Sequence, residues 1–270
     1  MSTLARESEV GNTSRTPKFC VWDHHPPIHL RGMASFPSAL LPARVTILAY
    51  GALLSEASSR TTFPDLTNFR LVRVRNMRRL FGMSHLFLTG QGVADPSTSL
   101  RIAALSVEPA EGASFIAAAY EVQLNDAQRA AFCEREIGYT ITTAPFYELH
   151  DDDDGSASGG GAGAGAAEPT GVGVICAAST DDQLPPELSV PAGLQHVWDW
   201  APTSGLLPAD VYLRHCLLAM RKIGGAAERS FLRDTTLVDR VTPLGDYVDR
   251  ERERIMAAVP PASMATRFGG

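Results

Sequence analysis

The chain has 270 residues, 44% hydrophobic and 20% charged, a composition that builds a packed core and excludes a wholly disordered or fibrous protein. A net charge of −6 argues against a general nucleic-acid coat, and no run of 18 apolar residues is present to span a membrane. The four cysteines, Cys20, Cys133, Cys176 and Cys216, form no CxxC pair, which suits reduced thiols in a cytoplasmic protein better than a disulfide or zinc framework.

Residues 1–43 mix Ser, Thr, Pro, Arg and His without a period and are expected to be a poorly ordered tail. The tail lacks the apolar core of a secretory signal. Its Arg and Ser content leaves organelle import open, although Glu7, Glu9 and Asp23 depart from a transit peptide. The first buried strand is Val45–Tyr50, VTILAY, which runs directly into Gly51-Ala52-Leu53-Leu54. A glycine at a strand end permits a sharp turn that leaves backbone N–H groups free. Ser55–Arg60 reads as a short helical turn. Phe69–Phe81 reads as a strand whose Arg73 and Arg75 alternate with Val72 and Val74.

Ile102–Val107 and Phe115–Leu124 are two further expected strands, joined by Glu108–Ala113. A helix follows, with Asn125 as N-cap, Gln128 three residues on, and Gly138 near its end. Tyr139–Leu149 returns as a strand. Residues 151–169, four aspartates and then a Gly/Ala/Ser tract, read as a flexible insertion within one domain spanning 44–257. Gly171–Ala178 resumes the strand. Pro208 suits N1 of a helix reaching Lys222, with Tyr212, Leu213, Cys216, Leu217 and Met220 on one apolar stripe. Ala226–Arg233 and Leu244–Ala257 are two more helices, and 258–270 is expected to fray.

No phosphate loop, dinucleotide fingerprint, GxSxG elbow or HExxH motif occurs, so no cofactor or metal is expected. Three short segments do stand out together: Tyr50-Gly51-Ala52-Leu53-Leu54 after an apolar strand, Arg75–Phe81 ending in RRLF, and Arg135-Glu136…Tyr139 at a helix end. In order and spacing this set resembles the gamma-glutamylcyclotransferase-like superfamily, which includes the ChaC and AIG2-like proteins. The departures are Ala52 for the usual Ser, Asn76-Met77 for Gly-Tyr, and Ile137 for the Gly that often follows the Glu.

The resemblance implies an α+β fold, a mixed β-barrel or sheet with flanking helices and a C-terminal helical extension. It implies a cofactor-independent enzyme acting on a small γ-glutamyl compound, with neither nucleic acid nor membrane as partner. The substrate's α-amine closes on its own γ-carbonyl to give 5-oxoproline, so proximity is built into the substrate. Glu136 is then the proton carrier, and Tyr50, Gly51, Ala52, Leu53 and Tyr139 bind substrate; the Tyr50 turn and Glu136 should share one pocket. Two other readings stand beside this one. The first is a non-catalytic domain of the same fold that binds a metabolite or a protein. The second is an anion- or RNA-binding module using Arg70, Arg73, Arg75, Arg78 and Arg79. The leaving group and the oligomeric state are not set by the sequence.

Overall fold

The computed structural model describes residues 41–149, 168–186, 188, 190 and 193–268. The expected tail, up to residue 40, residue 150, and residues 151–167 of the expected insertion lie outside these.

Among the described residues, strands β1 (Arg44–Ala49), β2 (Thr67–Ser84), β3 (Arg101–Gln123), β4 (Thr140–Glu148), β5 (Gly171–Ala177), β6 (Leu207–Pro208) and β7 (Thr235–Thr236) form one sheet. Its order is β6-β3-β1-β5-β4-β2-β7, and β2 pairs back onto β3, so β3-β1-β5-β4-β2 closes into a five-stranded barrel. The barrel is mixed: β1 pairs antiparallel with β3 (Ile47↔Tyr120) and parallel with β5 (Ile47↔Val174). Closure gives the central strands a neighbour on both sides and removes open edges. Strand β1 therefore carries the nearly continuous apolar run of a fully buried strand, with Ile47, Leu48 and Ala49 all buried. The α+β class, the mixed barrel and the C-terminal helices agree with the fold expected from the sequence.

The helices are α1 (Glu56–Thr62), α2 (Leu86–Gly90), α3 (Asp126–Arg135), α4 (Asp210–Ile223), α5 (Gly225–Arg233), α6 (Leu244–Ala257) and α7 (Ala265–Phe268). The expected capping box at α3 is present: the Asn125 side chain accepts from Gln128 N–H and the Gln128 side chain accepts from Asn125 N–H. Phe132 of α3, Phe63 beyond α1 and Tyr120 of β3 pack at centroid distances of 5.7 and 6.1 Å, fastening both helices to the barrel. The apolar stripe of α4 is buried as expected.

Four expectations need correction. The segment Glu108–Ala113 does not separate two strands. Strand β3 runs through it, and only the register slips, from Arg75↔Ser114 to Met77↔Pro109, with Gly112 N–H donating to Asn76 Oδ1 (3.2 Å). A bulge absorbs extra residues without breaking the ladder. Pro208 does not open α4; Leu207 and Ala209 donate to Leu100 and Ala103, which holds Pro208 in β6. Residues 258–270 are not frayed as far as they are described, because 262–268 is helical and Phe268 is 2% exposed. At the other end Leu41 is already buried, and Ala43 accepts from Leu124 N–H.

The arginines of β2 do not form a free charged face either. Arg70 pairs with Glu148 and Glu121, Arg78 pairs with Glu108, and Arg75 stacks on Tyr147. Arg73 is buried. Arg79 is fully buried, and burial pushes its pKa down to about 10. Its guanidinium donates to Thr235 Oγ1 (2.7 Å) and to the carbonyls of Ile116 (3.1 Å) and Ser230 (3.2 Å), between the rings of Phe115 and Phe231. It therefore ties β2 to β3, α5 and β7.

Candidate active site

The site grows from two chain turns. At the end of β1, Tyr50 is buried and its hydroxyl donates to the carbonyl of Cys176 on β5. The chain then turns at Gly51 into a 3₁₀ turn, Ala52–Leu54, closed by Leu54 N–H on Gly51 O at 2.9 Å. Gly51 is required by close approach: a Cβ there would sit 2.9 Å from the Tyr212 hydroxyl of α4. At the end of α3, Glu136 N–H still bonds Phe132 O, but the next residues leave the helix and Gly138 adopts φ +93°. A left-handed residue there lets the chain reverse into β4. That reversal presents Glu136 and Tyr139 to the same space.

A segment that carries no motif holds this reversal. The Asp181 carboxylate accepts from the N–H groups of Val197 and Trp198 at 2.9 and 2.8 Å. Trp198, so fixed, donates its indole N–H to Gly138 O at 2.9 Å and meets the Tyr139 ring edge-on at 5.2 Å.

The result is a cavity of about 760 Å³ whose walls include Tyr50, Gly51, Leu53, Glu136 and Tyr139. The structure thus brings together five of the six residues expected from sequence, while Ala52 opens the backbone turn beside them. His85, Arg135, Cys176, Tyr212, Arg267 and Phe268 also line it and were not anticipated as site residues. Arg135 had a signal, since it precedes Glu136 in the motif. Arg267 had none, because nothing periodic marks its segment.

The electrostatics set one titratable group of the cavity apart from the others. Burial pushes the hydroxyls of Tyr50, Tyr139 and Tyr212 well above the usual tyrosine range. Tyr50 and Tyr139 already spend their protons on backbone carbonyls, the latter on Leu105 O at 2.9 Å. The Cys176 thiol is likewise pushed well up by burial and by the Glu136 carboxylate beside it. His85 is pushed down to about 4, first by burial and then by Arg267 and Arg135. Its Nδ1 accepts from Phe87 N–H (3.2 Å), so the neutral ring carries its proton on Nε2. Glu134 also lines the cavity but is exposed. Glu136 differs from all of these. Its side chain is 15% exposed, and burial raises its pKa, against the opposing pull of the Arg135 guanidinium at 3.2 Å and the Cys176 thiol. Arg135 is held in turn by Thr62 Oγ1 at 2.7 Å. A carboxylate raised toward neutrality takes and returns a proton with least loss.

Among the described residues, no group of three or more His, Cys, Asp or Glu side chains is placed to hold a metal ion, and no helix is long and apolar enough to cross a membrane.

The fold is a closed mixed barrel in which a partly buried carboxylate and a strand-end turn line one cavity. No protein-family model matches the chain, and no curated protein matches it in sequence. Among solved structures it is similar to an uncharacterized protein, LOC79017, from Homo sapiens. The identity is 12%, the TM-score 0.42, and the match covers 82% of this chain and 91% of that one. It is also similar to a gamma-glutamyl cyclotransferase, at 10% identity and a TM-score of 0.41, covering 81% of this chain and 90% of that one.

Proposed function

We propose that this protein is a gamma-glutamyl cyclotransferase-type enzyme that releases 5-oxoproline from a γ-glutamyl compound. The observation that carries the reading is the placement of one partly buried carboxylate with a raised pKa, Glu136, in the same cavity as the Gly51–Leu53 turn. The motif resemblance supports it at the same residues.

The chemistry follows from the substrate. The backbone amides of the turn take the substrate carboxylate or the oxygen that gains charge during attack. Glu136 accepts a proton from the substrate's α-ammonium. The freed amine attacks the γ-carbonyl carbon and a C–N bond forms. Glu136 returns its proton to the departing nitrogen as the original γ-amide C–N bond breaks, then takes the second proton from the new ring nitrogen and passes it to the released amine, which leaves as its ammonium. The products are 5-oxoproline and a free amine or amino acid, and Glu136 is regenerated. Aromatic and aliphatic walls limit water, which keeps the carboxylate basic.

The test is to incubate the protein with glutathione, γ-glutamyl amino acids and γ-glutamyl amines and to assay 5-oxoproline. Release from at least one class is expected. Saturable binding of these compounds without release would assign the cavity to a non-catalytic binding domain instead.

A further inference from the structure

Two guanidiniums and one partly buried carboxylate face the cavity. Arg135 is committed, with Nε on Glu136 and Nη1 on Thr62. Arg267 is not committed in this way. Among the described residues its guanidinium lies over rings, 4.3 Å from the Phe87 centroid and 5.8 Å from that of Phe268, and it makes no ion pair within 4 Å. A guanidinium packed on a ring keeps its in-plane N–H fork available for a carboxylate.

Arg267 is also held in place. Its neighbour Phe268 is buried and meets Tyr212 and His215 edge-on at 6.5 and 5.5 Å. Arg267 itself is exposed while lining the cavity, so it stands at the mouth, whereas Tyr50 is buried and Glu136 largely so. With Glu136 ionised, Arg135, Arg267 and Glu136 leave one net positive charge; the remaining lining acid, Glu134, is exposed and screened by solvent. A γ-glutamyl amine is a net-neutral zwitterion. A γ-glutamyl amino acid or peptide carries one further carboxylate, on the part that departs.

We propose that Arg267 binds a carboxylate on the leaving group, so that the substrates are γ-glutamyl amino acids or peptides rather than γ-glutamyl amines. This rests on the cyclotransferase reading. The glutamyl half occupies the inner cavity between the Gly51 turn and Glu136, and the leaving half points to the mouth, where Arg267 closes a charge-assisted pair on its carboxylate.

The experiment compares γ-glutamyl-alanine with γ-glutamyl-ethylamide, which differs only by that carboxylate, by 5-oxoproline release. Wild type, Arg267→Met, which keeps the stem against Phe87, and Arg267→Lys, which keeps the charge, are measured on both. Wild type should favour the alanine compound in kcat/KM by about 10–100-fold, the size of one charge-assisted hydrogen-bonded pair. Arg267→Met should remove that preference by raising KM for the alanine compound alone, and Arg267→Lys should keep part of it. Equal wild-type efficiency on both compounds overturns the proposal and leaves the cyclotransferase reading standing. An equal loss on both in Arg267→Met also overturns it, since Arg267 would then hold the glutamyl carboxylate. No 5-oxoproline from either compound overturns this proposal, and the cyclotransferase reading falls with it if glutathione gives none as well.

Discussion

Replacing Glu136 by Gln tests the site in two currents at once. The amide keeps the size of the side chain and an oxygen for the Cys176 thiol, but it cannot take a proton. If Glu136 shuttles the proton, kcat should fall by about 10²–10⁴ while KM moves little, the usual effect of removing a general base. Stability should move the other way. Burial outweighs Arg135 and the thiol in setting the Glu136 pKa, which lies above its ordinary 4.5. An acid whose pKa is raised by folding keeps its proton in the native state where the unfolded chain has lost it. Its contribution to stability is therefore complete below about pH 4.5 and declines as pH rises toward the folded value. Glutamine has no such decline. Urea denaturation across pH 4–8 should show wild type losing stability relative to Glu136→Gln as pH rises, in step with loss of turnover in the variant. Glu134→Gln, exposed and two residues away, should match wild type in both assays. A Glu136→Gln variant that turns over substrate normally, or that is less stable than wild type at neutral pH, would refute the reasoning. The second result would mean that the Arg135 pair is a structural clamp.

Two further outcomes follow from the walls of the cavity. Gly51→Ala places a Cβ 2.9 Å from the buried Tyr212 hydroxyl, an overpacking that should cost about 1–3 kcal/mol and raise KM; adding Tyr212→Phe should recover part of both in denaturation and 5-oxoproline assays, and no recovery would remove Tyr212 as the obstacle. His85 should contribute an acid-side loss. Its pKa of about 4 lies below the ordinary 6.5, so the unfolded chain binds a proton that the native state refuses, and stability falls as pH drops from about 6.5 toward 4. His85→Asn, which can still cap α2, should be less sensitive to pH across that window, and equal slopes for the two proteins would contradict it.

The local signals that sequence carries well were those set by neighbours along the chain. The Asn125–Gln128 capping box, the apolar run of β1 and the α4 stripe from Tyr212 to Met220 all depend on nearby residues, and all are found. What failed depends on partners far away. Arg79 follows Arg78 in an arginine-rich strand and carries no local mark of burial, and only Ser230 and Thr235, more than 150 positions later, make it a buried tie. The short helix Leu86–Gly90 leaves no signal in the sequence because its cap is a histidine rather than Ser, Asp or Asn. The site divides in the same way. Tyr50, Gly51 and Glu136 lie in motifs, whereas Cys176, Tyr212 and Arg267 reach the cavity only because the barrel closes and α4 and α7 lie against it.

That division bears on how the carboxylate is tuned. Glu136 and Arg135 are adjacent in sequence, so their attraction would exist in any helix end and would by itself hold the pKa low. The walls oppose it. Phe132, Leu105, Val174 and Phe268 come from α3, β3, β5 and α7, and together they exclude the water that would stabilise the charge. Burial is the larger effect, so the direction is upward even with a guanidinium in contact. The same walls raise the three tyrosines and Cys176 out of the working range and depress His85 below it. One enclosure thus acts on acids and bases with opposite sign, and only the acid that starts lowest, a carboxylate, is carried toward neutrality by it. The residue the motif marks and the residue the cavity tunes are therefore the same for a physical reason. Glu136 is the group whose ordinary pKa lies on the side from which burial improves it.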